Sequence, residues 1–216
     1  MFDSSTVVNS GAELEAAVGA RPGVAMLKSI GYLDEHCRGF LACSPFAVLG
    51  ATTADAALRT ITVGGEPGLL VPRSDNELQL GEMSSEDVAD DAPAGLIALV
   101  PGYGETLRIN GRLRVDADAA TLVVEEALLH CAKAVMRSEL WRVGEAQELS
   151  EVTASPTADG FLADAPFIVL VSVDAGGHTD VSPRGDPPGL VRGIDDTTIA
   201  IAERPGNRRT DTLHNL

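Results

Sequence analysis

The chain has 216 residues, 44% of them hydrophobic and 22% charged, which is enough to bury a sizeable core in one large domain or two small ones. Asp and Glu number 32 against 16 Lys and Arg, a formal net charge of −16. That balance disfavours nucleic acid and anionic membranes as partners, and it makes any local cluster of arginines informative because it is built against the global field. No apolar run approaches the length of a membrane span, no basic-then-apolar leader opens the chain, and three cysteines without a CxxC pair suit reduced thiols, so a soluble cytoplasmic protein is expected. With 22 Gly and 12 Pro, a β-rich fold with flanking helices is expected rather than a helical bundle.

In chain order, "SGAELEAAVG" carries a capping box, Ser10 with Glu13, and predicts a first helix. The stretch "VAMLKSIGYLDEHCRGFLACSP" places Met26, Ile30, Leu33, Cys37 and Leu41 at spacings of three and four and predicts a second helix ending before Pro45. Strands follow at Phe46 to Leu49 and beyond the "TADAAL" turn. "AGLIALVPGYGETLRINGRLRV" then predicts an apolar strand, a Pro-Gly turn, and a strand alternating at Leu107, Ile109, Leu113 and Val115 around a second turn at "NG". "TLVVEEALLHCAKAVMRSELW" reads as helix, with Val123, Ala127, Leu128, Cys131, Val135 and Leu140 near one face. Residues 142–159 are polar and unpatterned and read as a linker.

After the linker the chain repeats itself. "GFLACSPFAVLG" (39–50) recurs as "GFLADAPFIVLV" (160–171) with eight of twelve positions identical, an offset of 160 − 39 = 121. "ITVGGEPGLLV" (61–71) aligns with "VSPRGDPPGLV" (181–191) at 120, and "DNELQLGE" (75–82) with "DTTIAIAE" (196–203) at 121. The period is too long for a solenoid, so a duplicated domain is expected. The expected organisation is an N-terminal helical segment at 1–32, a first copy at 33–141, the linker, and the front half of a second copy at 160–216.

The copies differ where charge matters. On this alignment Arg184 stands opposite Gly64, and Asn207, Arg208 and Arg209 stand opposite Glu86, Asp87 and Val88. The first copy holds seven acidic residues over 73–95 against the single Arg73, while the second keeps a basic turn. Pro-Gly-Asn-Arg-Arg before helical "TDTLHNL" offers backbone N–H groups and guanidinium forks that suit a phosphate. The competing reading pairs these arginines with Asp180, Asp186, Asp195 and Asp211 on an exposed face. His36-Cys37 and His130-Cys131 lack metal spacing and read as structural, whereas His130, Lys133 and Arg137 recur at spacings of three and four and share a face. "GYGETL" is a turn rather than a dinucleotide fingerprint, and no nucleophile elbow is present.

"HTDVSPRGDPPGLVR", "RPGNRRTDTLHNL", "PGYGETLRINGRLRV" and "HCAKAVMRSELW" resemble signature stretches of the pyridoxamine 5′-phosphate oxidase-like family, nearest its bacterial subgroup of probable FMN-dependent proteins; "LDEHCRGFLACSPF" resembles that subgroup's entry helix and first strand. The resemblance implies a split β-barrel, here tandem or composite, an FMN cofactor, and a homodimer or intrachain pseudo-dimer. It implies a flavin-dependent oxidoreductase acting on a small organic substrate; the alternative is a non-catalytic flavin-binding or interaction protein. Carried over by position, the phosphate-binding residues are Ser182, Arg184, Gly185, Asn207, Arg208 and Arg209, with no catalytic residue named. The chain departs from the family's order: a front half without the phosphate motif precedes the back half, and the intact front half comes last. Two explanations compete, a tandem pseudo-dimer truncated after Leu216, or 161–216 packing on the first copy's barrel as one composite site. On the composite reading the second copy grips the phosphate and the first supplies the facing wall, its own site disabled by Glu86 and Asp87.

Overall fold

The structure, a computed structural model, describes residues 7–23, 27–53, 55–80, 88–116, 119–142, 158–204 and 209–216. It is mainly β with short helices. Seven strands, β1 (Phe46–Thr52), β2 (Leu58–Gly64), β3 (Val71–Pro72), β4 (Glu77–Leu80), β5 (Pro93–Leu99), β6 (Thr106–Asp116) and β7 (Ala119–His130), form one antiparallel sheet in the order β2-β1-β5-β6-β7-β4-β3. Among the described residues no pairing joins β2 to β3, so the sheet stays open. Two further hairpins, β8 (Phe167–Val173) with β9 (Thr179–Gly185) and β10 (Val191–Asp195) with β11 (Thr198–Ile201), are separate ladders.

The helices are α1 (Gly11–Val18), α2 (Glu35–Cys43), α3 (Lys133–Ser138), α4 (Ala158–Asp164) and α5 (Asp211–Asn215). At α1 the expected cap forms: Ser10 accepts from the Glu13 amide, and the Glu13 carboxylate accepts from the Asn9 amide. The second helix is shorter than its periodicity suggests. Asp34 accepts from the Cys37 amide and starts α2 at Glu35. Ile30 cannot join it, because its own N–H and C=O bond Ala127 across the sheet. Met26 lies outside the described residues.

Two local expectations fail at one feature. Residues 119–130 are strand β7, not helix, and only Lys133–Ser138 is helical beyond them. "NG" at Asn110-Gly111 is not a turn either, but a β-bulge inside the continuous strand β6. Opposite it, Val124 pairs with Gly111 and Glu126 with Asn110, leaving Glu125 as the extra residue. Leu122 and Val124 face one core, and after the bulge Ala127 and Leu129 do so. The bulge therefore turns period two into a step of three, which imitates a helix. A Cβ on Gly111 would overlap the Val123 carbonyl, so the bulge needs glycine.

One sheet face packs on α2 around Leu41, Leu49, Leu80, Leu96, Ile109 and Leu122. The other face, over β1, β5 and β6, carries the β8–β9 hairpin, with Val48, Ile97, Leu99 and Val181 buried against Phe167, Val169, Val171, Leu140 and Trp141. Gly50 and Gly95 are cross-strand partners in the sheet, and Val171 and Val181 are cross-strand partners in the hairpin. A Cβ on Gly50 would overlap Val171, and one on Gly95 would meet Val181 at 2.5 Å. The glycine pair is thus a trough that receives the valine pair.

The elements recur at one offset. β8, β9 and β11 lie 121 residues after β1, β2 and β4 end to end, and both hairpins keep the same register, Phe46 with Gly64 and Phe167 with Gly185. Gly68 and Gly189, again 121 apart, both turn the corner at positive φ, 93° and 96°. This corrects the offset of 120 read at 61–71: Arg184 stands opposite Val63, not Gly64. It also makes Gly50 and Val171, which touch, equivalent positions, as are Val48 and Val169 in one cluster. Contacts between equivalent residues mark a local two-fold relation.

Filling the trough tests this packing. Gly95→Val should push the hairpin off the sheet and destabilise the protein by about 1–3 kcal/mol, read as a lower urea midpoint. Gly23→Val, at a position with no neighbour within 4 Å, should leave it unchanged.

Candidate functional site

Two polar regions lie where the β8–β9 hairpin meets the sheet. The first is a small pocket between β9, the end of β7 and α3. Its basic residues are His130, Lys133, Arg137, Arg184 and Arg204, and its one acid is Glu203. The first repeat supplies His130, Lys133 and Arg137, and the second Arg184 and Arg204. Gly185 makes the juxtaposition sterically feasible, since a Cβ there would overlap the Ala134 carbonyl. Strand β9 and helix α3 can approach this closely only at glycine. The sequence spacing that put His130, Lys133 and Arg137 on one helix face is corrected in detail: His130 ends β7, and α3 presents the other two to the same space.

Arg184 is held by a 3.4 Å contact to Glu203 and a 3.3 Å bond to Thr212 Oγ1, and Arg204 by a 3.2 Å contact to Asp186. The His130 imidazole is pushed down to about 3, first by burial and then by Arg108 and Arg209, with Asp211 opposing and Arg184 adding to the fall. Its Nε2 is buried and has no hydrogen-bond partner among the described residues. The space measures about 80 Å³, room for a phosphoryl group but well below the roughly 300 Å³ at which cavities take whole organic ligands.

The second region is a buried charge cluster centred on Arg108 of β6, which is 1% exposed. Its guanidinium contacts Asp180 of β9, Glu126 of β7 at 3.1 Å and Asp211 of α5 at 3.0 Å. Arg209 completes the ring, 2.8 Å from both Glu126 and Asp211, and donates to Ser29 at 2.8 Å. Burial pushes the Glu126 and Asp211 carboxyls up, but the arginines, with Ser29 at Glu126, outweigh it and hold both below their ordinary values.

This cluster reassigns part of the motif. Arg209 is 4% exposed and committed to carboxylates; at the equivalent position of the first copy, Val88 lies in the apolar core. Ser182 is buried and donates to Asp180 at 2.6 Å. Gly185 serves helix packing. The anion beside the start of α5 is the chain's own Asp211, and Thr210 caps nothing. Of the four carried-over residues that are described, Ser182, Arg184, Gly185 and Arg209, Arg184 alone lines the basic pocket through a charged side chain. Asn207 and Arg208 lie outside the described residues, as do Glu86 and Asp87. Of the ion pairing expected on an exposed face as the competing reading, Arg204 with Asp186 is seen at the surface, whereas Arg209 meets Asp211 in a buried cluster. Arg108 went unnoticed in the sequence; its only signal was a charge inside the alternating run "TLRING".

Cys37 is buried, with its thiol pushed up to about 11 by burial and then by Asp34, so it packs rather than reacts. Among the described residues no group of three His, Cys, Asp or Glu is placed to hold a metal, and no helix is long and apolar enough to cross a membrane.

Removing Arg108 should leave three carboxylates crowded in a buried space. Arg108→Met is expected to lower stability by about 3–5 kcal/mol in urea unfolding, while Arg112→Met, at an exposed pair with Asp91, should barely move the midpoint. His130 supplies a pH test. In the unfolded chain it takes a proton below about pH 6.5, in the folded protein only near pH 3. The unfolded state holds more protons in that window, so stability falls as pH is lowered through it. Between about pH 6.5 and 4.5, above the ordinary carboxylate range, the melting temperature of wild type should fall more steeply than that of His130→Gln.

Comparison with protein-family models gives no match, and comparison with curated protein sequences gives none. Among solved structures, a HupZ variant from Group A Streptococcus is similar to 45% of this chain and 98% of its own, at 8% identity and a TM-score of 0.36.

Proposed function

We propose that the chain is an FMN-binding split-barrel protein in which the pocket of Lys133, Arg184 and Arg204 receives the cofactor's phosphate. The observation that carries this reading is the convergence of four cationic side chains, Lys133, Arg137, Arg184 and Arg204, on one phosphate-sized space in a protein of net charge −16. The donor set fits a phosphate: the guanidinium groups of Arg137, Arg184 and Arg204 and the Lys133 ammonium. A cavity of this size excludes the flavin ring, which would lie outside it. The pocket draws on both repeats, Lys133 from the first and Arg184 and Arg204 from the second, which supports the reading of 161–216 packed on the first copy as one composite site.

FMN, when bound, supplies the redox centre, accepting and returning electrons. The chain's own part is to hold the phosphate and to keep His130 uncharged beside it, as burial and the neighbouring arginines do. Such a site serves a flavin-dependent oxidoreductase acting on a small organic molecule. A second reading, a flavin-binding protein without catalysis, is favoured by the diversion of Ser182 and Arg209 into the charge cluster. A yellow protein that NAD(P)H reduces and air reoxidises would support the enzyme; a yellow protein that NAD(P)H leaves oxidised would support the binder.

The assignment is tested by titration with FMN and with riboflavin, which lacks the phosphate. Lys133→Ala with Arg184→Ala should weaken FMN binding by at least about 100-fold, roughly 2.7 kcal/mol, and leave riboflavin binding unchanged. Equal affinity of the wild type for the two flavins would sink it.

A further inference from the structure

The basic pocket already holds an anion of its own. Arg184 enters it with a guanidinium whose three nitrogens are all engaged. Nη1 donates to the Pro183 carbonyl and Nη2 to Thr212 Oγ1, both at 3.3 Å, and Nε lies 3.4 Å from the Glu203 carboxylate. Two of these partners are fixed: one is backbone, and Thr212 is 5% exposed and itself donates to Asp180 at 2.8 Å. Glu203 is different. It follows strand β11, where the Ala202 amide is tied to the Leu190 carbonyl at 3.2 Å, and its own side chain is 45% exposed. It is also the one acid among the lining residues, since Asp186, which meets Arg204 at 3.2 Å, does not line the space.

An entering anion and Glu203 therefore compete for one edge of Arg184. A phosphate monoester carries roughly −1.5 to −2 charge near neutral pH and three strong acceptor oxygens. Exchanging the Glu203 carboxylate for it raises the negative charge facing Lys133, Arg137, Arg184 and Arg204 and adds acceptors for their N–H groups. Exchanging one carboxylate for another gains neither, and it confines an ion that was free. We infer that Glu203 is the specificity-determining residue of this pocket, a resident carboxylate on Arg184 that a phosphate displaces and a free carboxylate does not. Once released, its side chain extends into the water it already faces. The inference rests on the reading of this pocket as a phosphate site.

The test is titration of the full chain, at fixed ionic strength, with inorganic phosphate, acetate, FMN and riboflavin, for wild type, Glu203→Gln and Glu203→Ala. Asp116→Asn is the charge control: it removes the same charge at the far end of β6 from Thr106, the partner of His130. Both Glu203 variants should bind phosphate and FMN about tenfold more tightly than wild type, because no resident charge opposes entry, and should bind riboflavin as wild type does. Acetate should bind the two variants saturably and wild type not at all, and Asp116→Asn should match wild type throughout. The inference is overturned if the Glu203 variants bind phosphate no more tightly than wild type. It is equally overturned if acetate does not distinguish them from wild type, or if Asp116→Asn tightens phosphate binding as much. Equal affinity of wild type for FMN and riboflavin, with phosphate still bound more tightly by the Glu203 variants, would sink the flavin reading and leave this inference standing.

Discussion

A guanidinium removed from water has to be surrounded by carboxylates, and Arg108 organises this protein around that need. It recruits Glu126 from the neighbouring strand, Asp180 from the second repeat and Asp211 from the C-terminal helix, segments up to 103 residues away. Each carboxylate is then shared: Asp180 accepts from Ser182 and Thr212, Glu126 from Ser29, Asn110 and Arg209. Such a ring fixes one arrangement of the segments it joins, because any other leaves a buried charge unpaired. The ring also reaches beyond itself. Its arginines, together with burial, hold His130 neutral at the floor of the basic pocket.

Packing imposes a second constraint of the opposite kind, by subtraction. Gly50, Gly95 and Gly185 stand where a single methyl would collide with Val171, Val181 or the Ala134 backbone. The first two let the hairpin of the second repeat settle on the sheet of the first, and the third lets α3 lie against β9. Charge attracts the two repeats and glycine permits the distance. The basic pocket is lined from both repeats across the resulting seam.

Much of this was legible before folding. The recurrence of 39–50 at 160–171 foretold the second hairpin, and "SPRGD" pointed to Arg184. What misled was local. The bulge at Asn110-Gly111 broke the alternation of β7 and produced helical spacing, because one inserted residue turns a step of two into a step of three. A one-residue slip in the corner placed Arg184 opposite Gly64 instead of Val63. Arg209 looked like a ligand-binding group because a cation's partners lie far off in sequence; Glu126 is 83 residues away.

By itself the sequence determined the mainly β class, the internal repeat and the concentration of positive charge against an acidic background, since composition, period and identity are properties of a string. Only the tertiary structure decided which arginines face an open space and which are consumed by carboxylates. That choice depends on distances between segments that no spacing encodes. The same holds for His130, whose charge state is set by burial and by arginines from β6, β9 and the C-terminal turn.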